Sequence, residues 1–452
     1  MDLSNLRVLI IGLGRTGIAT ARFCASKGAH IMVADEKRAF ELVDALKAIS
    51  DIPVELRLGR HDEEIMSMVD LVVPSPGVPP FHYLLRAARD RGISIISEIE
   101  LAYRFLVTPI IAITGTNGKT TTTRLIGEIL TVWGKRVFVG GNIGNPLIGI
   151  AGNDHDFEYL VVELSSFQLQ WIERFHPCIA VLLNVSPDHI DYHGTYEEYR
   201  RAKERIFENQ TDRDGAILNA DDSAAPLLGG KIKANVMWFS SSSVVDRGMF
   251  KKGETLLSES HQGNGEEYPI SAVRLRGNHN YENVMAAILA VRRCGCPPQV
   301  IRQTLESFNG LPHRMEYVGA AEGVEFYNDS KGTNVDAVIR ALMAFSKPVI
   351  LLLGGRNKGG DFSRLAKPAG EKARKVILFG EARRDIGSAV GSAVKTIMTE
   401  TLKEAVDAAW SSARSGDVIL LSPGCASFDE FKNYEERGNF FKHSVRHIIE
   451  HR

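Results

Sequence analysis

Residues 109–122 read Pro-Ile-Ile-Ala-Ile-Thr-Gly-Thr-Asn-Gly-Lys-Thr-Thr-Thr, a short apolar run followed by a turn rich in glycine and threonine. Residues 110–113 predict a buried strand, and the spacing of Leu125 and Ile129 predicts a helix after the turn. A strand, a Gly-rich turn and a helix are the setting of a phosphate-binding loop. In such a turn, backbone N–H groups and the positive end of the helix dipole converge on an anion.

Lys119 and Thr120 stand at the predicted start of the helix, where a phosphate-binding loop carries its functional side chains. The lysine can reach the β- and γ-phosphates of a nucleotide, and the threonine hydroxyl can hold Mg²⁺. Gly115 stands three positions before Gly118, a closer spacing than in the general P-loop. A chance Gly-rich turn is the alternative, and the flanking strand and helix argue against it.

The composition excludes several classes of protein. The chain has 452 residues, enough for about three domains. Its 54 lysine and arginine residues nearly balance 55 aspartate and glutamate residues, so no basic field attracts nucleic acid or an anionic membrane. No apolar run approaches the roughly 20 residues of a membrane span, and a strand predicted from Val8 leaves no room for a signal peptide. Five scattered cysteines indicate reduced thiols in a cytoplasmic protein.

Three α/β blocks follow one another, and we predict three domains over residues 1–98, 99–310 and 311–452. The first block opens with a strand at residues 8–11 and the motif Gly12-x-Gly14-x-x-Gly17, followed about 20 residues later by Asp35. This is the fingerprint of a dinucleotide-binding fold. We therefore predict a Rossmann-like N-terminal domain, a central P-loop ATPase-like domain and a Rossmann-like C-terminal domain.

The central and C-terminal blocks show further alternation of strands and helices. In the central block, residues 240–275 change to Ser, Gly and charged residues, which predicts small added antiparallel strands. The strands predicted elsewhere cover residues 31–34, 71–73, 94–96, 159–164, 179–185, 325–328, 349–353, 376–379, 396–398 and 418–421. Ligands of parallel sheets bind beyond the carboxyl ends of the strands, so polar residues that follow these strands are candidates for the site.

Lys203 shares one predicted helical face with Tyr196, Tyr199 and Ile206. A lysine on an apolar stripe usually extends its amine to water. Burial beside other cations would instead lower its pKa and leave a neutral amine. Both alternatives stay open on the spacing alone.

The glycine motif of the first block also leaves alternatives open. It suits NAD or FAD, so an NAD-dependent oxidoreductase is one of them, although that function leaves the phosphate-binding loop unexplained. A P-loop switch or motor protein that acts on another protein is a second alternative.

Ten short motifs extend along the chain in a fixed order. They cover residues 114–120, 140–144, 163–168, 188–189, 199–203, 277–283, 311–314, 328–334, 354–361 and 422–429. Together they resemble the Mur ligase family, the ATP-dependent amino-acid ligases of peptidoglycan synthesis. The motif Asn-Asp-Ser-Lys-Gly-Thr-Asn at 328–334 is similar to the branch that adds D-glutamate. A folylpolyglutamate synthase-like ligase is the related alternative, and the glycine motif of the first domain argues against it.

The resemblance implies a two-step reaction. The carboxylate of UDP-N-acetylmuramoyl-L-alanine attacks the γ-phosphate of ATP, and the amine of D-glutamate then displaces phosphate from the acyl phosphate. The resemblance further implies two Mg²⁺ ions and a carbamate on Lys203 that binds one of them. The catalytic residues implied are Lys119, His189 and Lys203. The metal ligands implied are Thr120, Glu163, His189 and Lys203.

The resemblance also implies the binding residues and the partners. Those for the nucleotide are Gly115, Thr116, Asn117, Gly118, Lys119, Thr120, Thr121, Asn280, Asn283, Arg314, Asp329 and Lys331. Those for the two other substrates are Gly14, Arg15, Thr16, Asp35, Glu36, Lys37, Ser75, Pro76, Gly77, Asn142, Thr333, Lys358, Ser427, Phe428 and Tyr434. We expect a monomer that binds small molecules, with no nucleic-acid or membrane partner.

Overall fold

A computed structural model describes residues 1–59, 63–223, 225–259, 265–275, 277–308, 310–357 and 359–450. The chain divides into two compact units, Met1–Pro269 with Glu282–Thr304 and Ile270–Tyr281 with Leu305–Arg452. The first unit contains a five-stranded and a nine-stranded sheet, and the second contains a six-stranded sheet. Helices alternate with mostly parallel strands, as the α/β prediction requires.

The first sheet has the strand order β3-β2-β1-β4-β5, and all its pairs are parallel. Its strands are β1 (Arg7–Ile11), β2 (His30–Asp35), β3 (Val54–Leu58), β4 (Leu71–Pro74) and β5 (Ser94–Ile95). Its helices are α1 (Arg15–Ser26), α2 (Val43–Lys47), α3 (Tyr83–Asp90) and α4 (Glu98–Tyr103). The central strands β1 and β4 are buried on both faces, which matches their continuous apolar sequences.

The second sheet has the order β14-β13-β12-β11-β10-β9-β6-β8-β7. Its strands are β6 (Ile110–Thr114), β7 (Val137–Gly141), β8 (Tyr159–Glu163), β9 (Ile179–Leu182), β10 (Gly215–Asn219), β11 (Asn235–Ser240), β12 (Gly248–Lys252), β13 (Thr255–Glu259) and β14 (Glu266–Pro269). Strands β12, β13 and β14 pair antiparallel, which confirms the small added strands, whereas β11 and β12 pair in parallel.

The helices of this region are α5 (Lys119–Val132), α6 (Ser166–Leu169), α7 (Ile190–His193), α8 (Tyr196–Glu204), α9 (Ala225–Gly229), α10 (Asn278–Arg293) and α11 (Pro298–Ser307). Strand β6 leads through the Gly-rich turn into α5, as predicted for a phosphate-binding loop. Helix α10 passes from the second unit into the first between Tyr281 and Glu282.

The third sheet has the order β15-β16-β20-β17-β18-β19, with only the edge strand β15 antiparallel. Its strands are β15 (Glu316–Ala321), β16 (Val324–Asn328), β17 (Val349–Gly354), β18 (Ala373–Phe379), β19 (Thr396–Met398) and β20 (Val418–Gly424). Its helices are α12 (Val335–Met343), α13 (Ala366–Lys372), α14 (Arg383–Val390), α15 (Leu402–Ser412) and α16 (Tyr434–Glu450). Across the described ranges, no helix has the length and apolar character needed to cross a membrane.

Candidate active site

The phosphate-binding loop connects β6 to α5 in the middle of the second sheet. Gly118 caps α5 with a φ of +86°, a conformation that favours glycine, and a Cβ there would collide with the side chain of Asn283. Thr121 lies buried in the first turn of the helix. Since Asn283 packs on this turn, the structure brings one predicted nucleotide-binding residue of α10 to the loop.

Two lysine amines meet at one carbonyl of this loop. The Nζ of Lys119 donates to the carbonyls of Gly115 at 2.8 Å and Thr116 at 2.9 Å. The Nζ of Lys203 donates to the same Gly115 carbonyl at 2.9 Å. The loop therefore gathers two basic side chains where a phosphate group would need them.

The spacing of Lys203 left open whether its amine reaches water or is buried, and the structure shows that it is buried. It lies on α8, is only 2% exposed, and its Nζ is 4.7 Å from the centre of the Tyr199 ring. Burial, and then the neighbouring charge of Lys119, lowers the pKa of Lys203 well below its usual value. A neutral amine at this position is a nucleophile, which a solvated ammonium group is not.

Glu163 ends β8 with a buried carboxylate, beside Asn142 at the end of β7. The Nδ2 of Asn142 donates to Oε1 of Glu163 at 3.0 Å. The other oxygen, Oε2, is buried and has no hydrogen-bond partner within the described ranges. A buried carboxylate oxygen without a donor is costly, and a hard cation such as Mg²⁺ would satisfy it. The Thr120 hydroxyl, at the start of α5, is another oxygen of the kind that Mg²⁺ prefers.

An aromatic cluster surrounds His189, and it consists of Phe167, Tyr192, His193 and Tyr199. His189 has a φ of +52°, and its ring centre lies 4.8 Å from that of Phe167. Burial of part of the ring lowers the pKa of His189, so the neutral form that binds metals is favoured. In the part of the chain that the structure describes, no three His, Cys, Asp or Glu side chains group closely enough to hold a metal ion.

Two residues near the loop were not predicted from the sequence. Asn184 accepts from the backbone N–H of Asn117 at 2.9 Å and donates to the Asn117 carbonyl at 3.1 Å. His193 contacts the Ser166 hydroxyl through Nε2 at 2.9 Å, and burial lowers its pKa to about 4. Strand β9 ends at Leu182 rather than at the predicted Val185, and an earlier end would have placed Asn184 among the polar residues after a strand.

The first sheet assembles its predicted residues at the carboxyl ends of β1, β2 and β4. The carboxylate of Asp35 accepts from the N–H of Leu13 at 2.7 Å and of Lys37 at 2.9 Å. The hydroxyl of Ser75 donates to the Gly12 carbonyl at 2.9 Å. Gly14 caps α1, which begins with Arg15 and Thr16, and Pro76 and Gly77 follow Ser75. These contacts form a glycine-lined cradle that suits a diphosphate.

The cradle and the aromatic cluster are connected within the first unit. The hydroxyl of Tyr192 donates to the Val78 carbonyl at 2.8 Å. Beside the cradle, His82 lies 3.2 Å from the carboxylate of Glu36 and accepts from the N–H of Leu84 through Nδ1. The Glu36 side chain therefore lies at the rim of the cradle.

The second unit gathers predicted residues around Asp329 at the end of β16. Its carboxylate accepts from the Ser422 hydroxyl at 2.8 Å and from the N–H of Met315 at 3.2 Å. Burial raises the pKa of Asp329 to about 7, and the nearby charge of Arg314 opposes that shift. Lys331 donates to the hydroxyl of Tyr434 at 2.9 Å.

The remaining predicted residues differ in exposure. Asn280 and Ser427 are buried, whereas Phe428 is largely exposed. Thr333 bonds through its N–H to the Lys331 carbonyl, which keeps it in the same loop. Lys358 lies outside the described residues.

Sequence profiles of three families match successive parts of the chain. They are described as "Mur ligase MurD-like, N-terminal domain" over residues 6–97, "Mur ligase middle domain" over 113–291 and "Mur ligase, glutamate ligase domain" over 313–425.

Curated relatives match over nearly the full length. The chain is 51% identical to a UDP-N-acetylmuramoylalanine--D-glutamate ligase of Syntrophus aciditrophicus, over 99% of each chain. It is 46% identical to the protein of the same name from Geotalea uraniireducens, again over 99% of each chain.

Solved structures share the fold. A UDP-N-acetylmuramate-alanine ligase MurC of Thermotoga maritima aligns with a TM-score of 0.59 at 18% identity, covering 98% of this chain and 100% of that one. A MurF ligase of the same organism in complex with ADP aligns with a TM-score of 0.59 at 17% identity, covering 99% and 96%.

Proposed function

The chain belongs to the Mur ligase family, and we propose that it joins D-glutamate to UDP-N-acetylmuramoyl-L-alanine in an ATP-dependent reaction of peptidoglycan precursor synthesis. The observation that carries this function is the 51% identity to a curated D-glutamate ligase over 99% of both chains. The products are ADP, phosphate and an amide between the alanyl carboxyl group and the D-glutamate amine.

The first step is transfer of the γ-phosphoryl group of ATP to the alanyl carboxylate. The N–H groups at the start of α5 and the amine of Lys119 bind the phosphates and orient them. Mg²⁺, held by Thr120 and Glu163, would neutralise charge on the phosphate oxygens. The gathered positive groups stabilise the charge that develops on the transferred phosphoryl group.

The second step is attack of the D-glutamate amine on the acyl phosphate, which releases phosphate and a proton. In this proposal, Thr333, Lys358, Ser427, Phe428 and Tyr434 bind D-glutamate. Lys358 meets a carboxylate with its ammonium group. Asn280, Asn283, Arg314, Asp329 and Lys331 hold the nucleotide, with the Asp329 carboxylate on the ribose hydroxyls.

The carbamate on Lys203 is part of the same proposal. A neutral lysine amine adds to the carbon of CO₂, forms an N–C bond and releases a proton, which leaves a carbamate anion. The buried amine with its lowered pKa supports this reaction. The anion would hold a second Mg²⁺ together with His189, where an ammonium group would repel the metal.

The UDP part of the substrate is assigned to the cradle of the first sheet. Gly14, Arg15, Thr16 and residues 75–77 would bind the diphosphate, and residues 35–37 the uridine. Asn142 would reach the sugar-peptide end. We place the domain boundaries near residues 98 and 310, as predicted from the sequence.

The expected assembly and location are also proposals. We propose a monomer without nucleic-acid or membrane partners, in line with the nearly balanced charge. All five cysteines are free thiols, which supports the cytoplasm as its compartment.

The function is tested by mass spectrometry of the product. With ATP, Mg²⁺ and D-glutamate, the UDP substrate should gain the mass of one glutamyl residue, and L-glutamate should serve far more poorly. ATP hydrolysis that proceeds equally without D-glutamate, with no new product, would instead favour the P-loop switch. Fluorescence titration with NADH should show no saturable binding to the cradle.

A further inference from the structure

Arg437 is a fully buried arginine in the first turns of α16, with an exposed fraction of 0%. Its Nε donates to the Ser330 hydroxyl at 3.0 Å, and one Nη donates to the Ser330 carbonyl at 2.8 Å. Both Nη atoms donate to the Cys425 carbonyl at 3.2 Å. Arginine side chains are almost never fully buried unless their hydrogen bonds are satisfied, and here the fixed fork of donors meets two loops at once.

The guanidinium connects loops that leave three different strands. Ser330 belongs to the loop after β16, and Cys425 belongs to the loop after β20. A Cβ placed on Gly355, in the loop after β17, would lie 3.2 Å from Nη1 of Arg437, so the backbone of that loop packs against the same group. The loops after β16 and β20 carry Thr333 and Ser427 at the carboxyl edge of the sheet.

The guanidinium of Arg437 makes no hydrogen bond to a carboxylate within the described ranges. Its acceptors in the described part of the chain are two backbone carbonyls and one hydroxyl. Burial lowers the pKa of Arg437 to about 10, which still leaves it protonated at neutral pH. The carboxylates of Asp429, Asp329 and Glu430 act on this charge and partly offset it, so the direct contribution of Arg437 lies in the bonds that it makes to the loops.

We propose that Arg437 is a positioning residue of the amino-acid pocket, which fixes the loops after β16, β17 and β20 so that they bind the carboxylates of the incoming amino acid. The proposal rests on the proposed function, since it concerns the D-glutamate pocket of that same reaction. The guanidinium acts through the loops that it holds, without touching the substrate.

The nucleotide side of the second unit depends less on Arg437. Asp329 is fixed by the Ser422 hydroxyl, by the N–H of Met315 and by its own N–H, which donates to the Leu421 carbonyl at 2.7 Å. None of these hydrogen bonds involves the guanidinium, although the charge of Arg437 acts on the Asp329 carboxylate. Loss of Arg437 should therefore affect the amino-acid pocket more than the ribose contact.

The test is steady-state kinetics of Arg437→Lys and Arg437→Met, with KM measured separately for D-glutamate and ATP. Since misplacing groups by about 1 Å costs up to a hundredfold in rate, we expect the D-glutamate KM to rise about tenfold or more. The ATP KM should stay within about twofold of wild type, and Lys should retain more function than Met because it keeps the charge.

Arg374→Met is the matched control. Arg374 also lies in the second unit and binds Asp417 at 2.6 Å, but at the amino ends of β18 and β20. The Arg374→Met variant should have a lower melting temperature, with the KM values for D-glutamate and ATP unchanged. A folded Arg437→Lys or Arg437→Met protein whose D-glutamate KM stays within twofold of wild type, or whose ATP KM rises equally, would overturn the proposal.

If neither Arg437 variant folds, the Ser330→Ala variant tests the same proposal. It removes one acceptor of Arg437 and leaves the guanidinium in place. A selective rise of the D-glutamate KM, about threefold, supports the proposal, and an unchanged KM refutes it. Wild-type protein that makes no glutamyl product would refute the proposed function instead, so the two failures are distinguishable.

Discussion

At the scale of single residues, Lys203 combines burial, a shared carbonyl and a nearby like charge. Its amine and that of Lys119 both donate to the Gly115 carbonyl, and the charge of Lys119 helps to lower the pKa of Lys203. A carbamate would convert this repulsion into attraction, because its negative charge faces Lys119.

The carbamate is directly observable. In ¹³C-bicarbonate, the NMR spectrum of the active protein should contain a carbamyl carbon signal that is missing from Lys203→Ala. A matched Lys135→Ala variant should keep the signal, because Lys135 is partly exposed and paired with Glu158. Fully active wild-type protein without the signal would rule the modification out.

The raised pKa of Asp329 predicts how the free energy of unfolding depends on pH. Its folded-state pKa is raised from 3.8 to about 7, so the folded chain holds this proton more tightly than the unfolded chain. The resulting stability is present at low pH and is lost as pH rises from about 4 to about 7. Asp329→Asn imitates the neutral form, so its free energy of unfolding relative to wild type should increase over this window, by on the order of 1–3 kcal/mol.

Thermal or urea unfolding without ligands, at pH 5 and pH 8, measures that difference. Glu98 is a second buried carboxylate whose pKa is raised to about 7, but it is present in both proteins and cancels. A difference that is the same at both pH values, or larger at pH 5, would contradict the shifted pKa of Asp329.

At the scale of elements, the sequence predicted the strands and helices that have a strong apolar pattern. Strands β1, β6, β17 and β20 and helices such as α5 follow their predicted positions, because they are buried and continuous. Several of the missed strands have weaker patterns, although β10 was missed too and is buried along its whole length. Strand β3 is mostly exposed, β7 contains two glycines, and β15 is a partly exposed edge strand.

The sequence predicted the part of the site that lies in a motif. It missed the residues that are placed by tertiary contacts. The loop at 114–120 was found from local pattern, whereas the spacing of Lys203 left its burial open. Asn184 and Arg437 act on backbone groups far away in sequence, and such contacts have no local signature. Asn184 was further obscured because the apolar run continues to Val185 past the true end of β9.

Asn184 tests how the loop is held. Asn184→Ala removes the acceptor for the Asn117 N–H and the donor to its carbonyl, which costs about 1–3 kcal/mol for a buried pair. The ATP KM should therefore rise about tenfold. Asn209→Ala is the control, since Asn209 also bonds backbone carbonyls of the first unit but lies outside the loop. Equal ATP KM values for the two variants would show that Asn184 does not hold the loop.

At the scale of the whole molecule, the proposed ligands are divided between two compact units. Amide formation needs the acyl phosphate and the D-glutamate amine in contact, and we expect domain closure to bring them together. We expect ATP and the UDP substrate to bind before D-glutamate. The radius of gyration from solution scattering should fall when ATP analogue and both substrates are present, and an unchanged value would contradict closure.

The central claim is that ATP activates the alanyl carboxylate as an acyl phosphate before the amide forms. The most direct measurement uses UDP-N-acetylmuramoyl-L-alanine with ¹⁸O in both carboxylate oxygens. One of these oxygens attacks the γ-phosphorus and leaves with it when the amine of D-glutamate displaces phosphate. We predict that each released phosphate carries one ¹⁸O atom, in equal amount to the amide product. Phosphate without ¹⁸O would mean that water, rather than the carboxylate, attacks ATP, and would contradict the account.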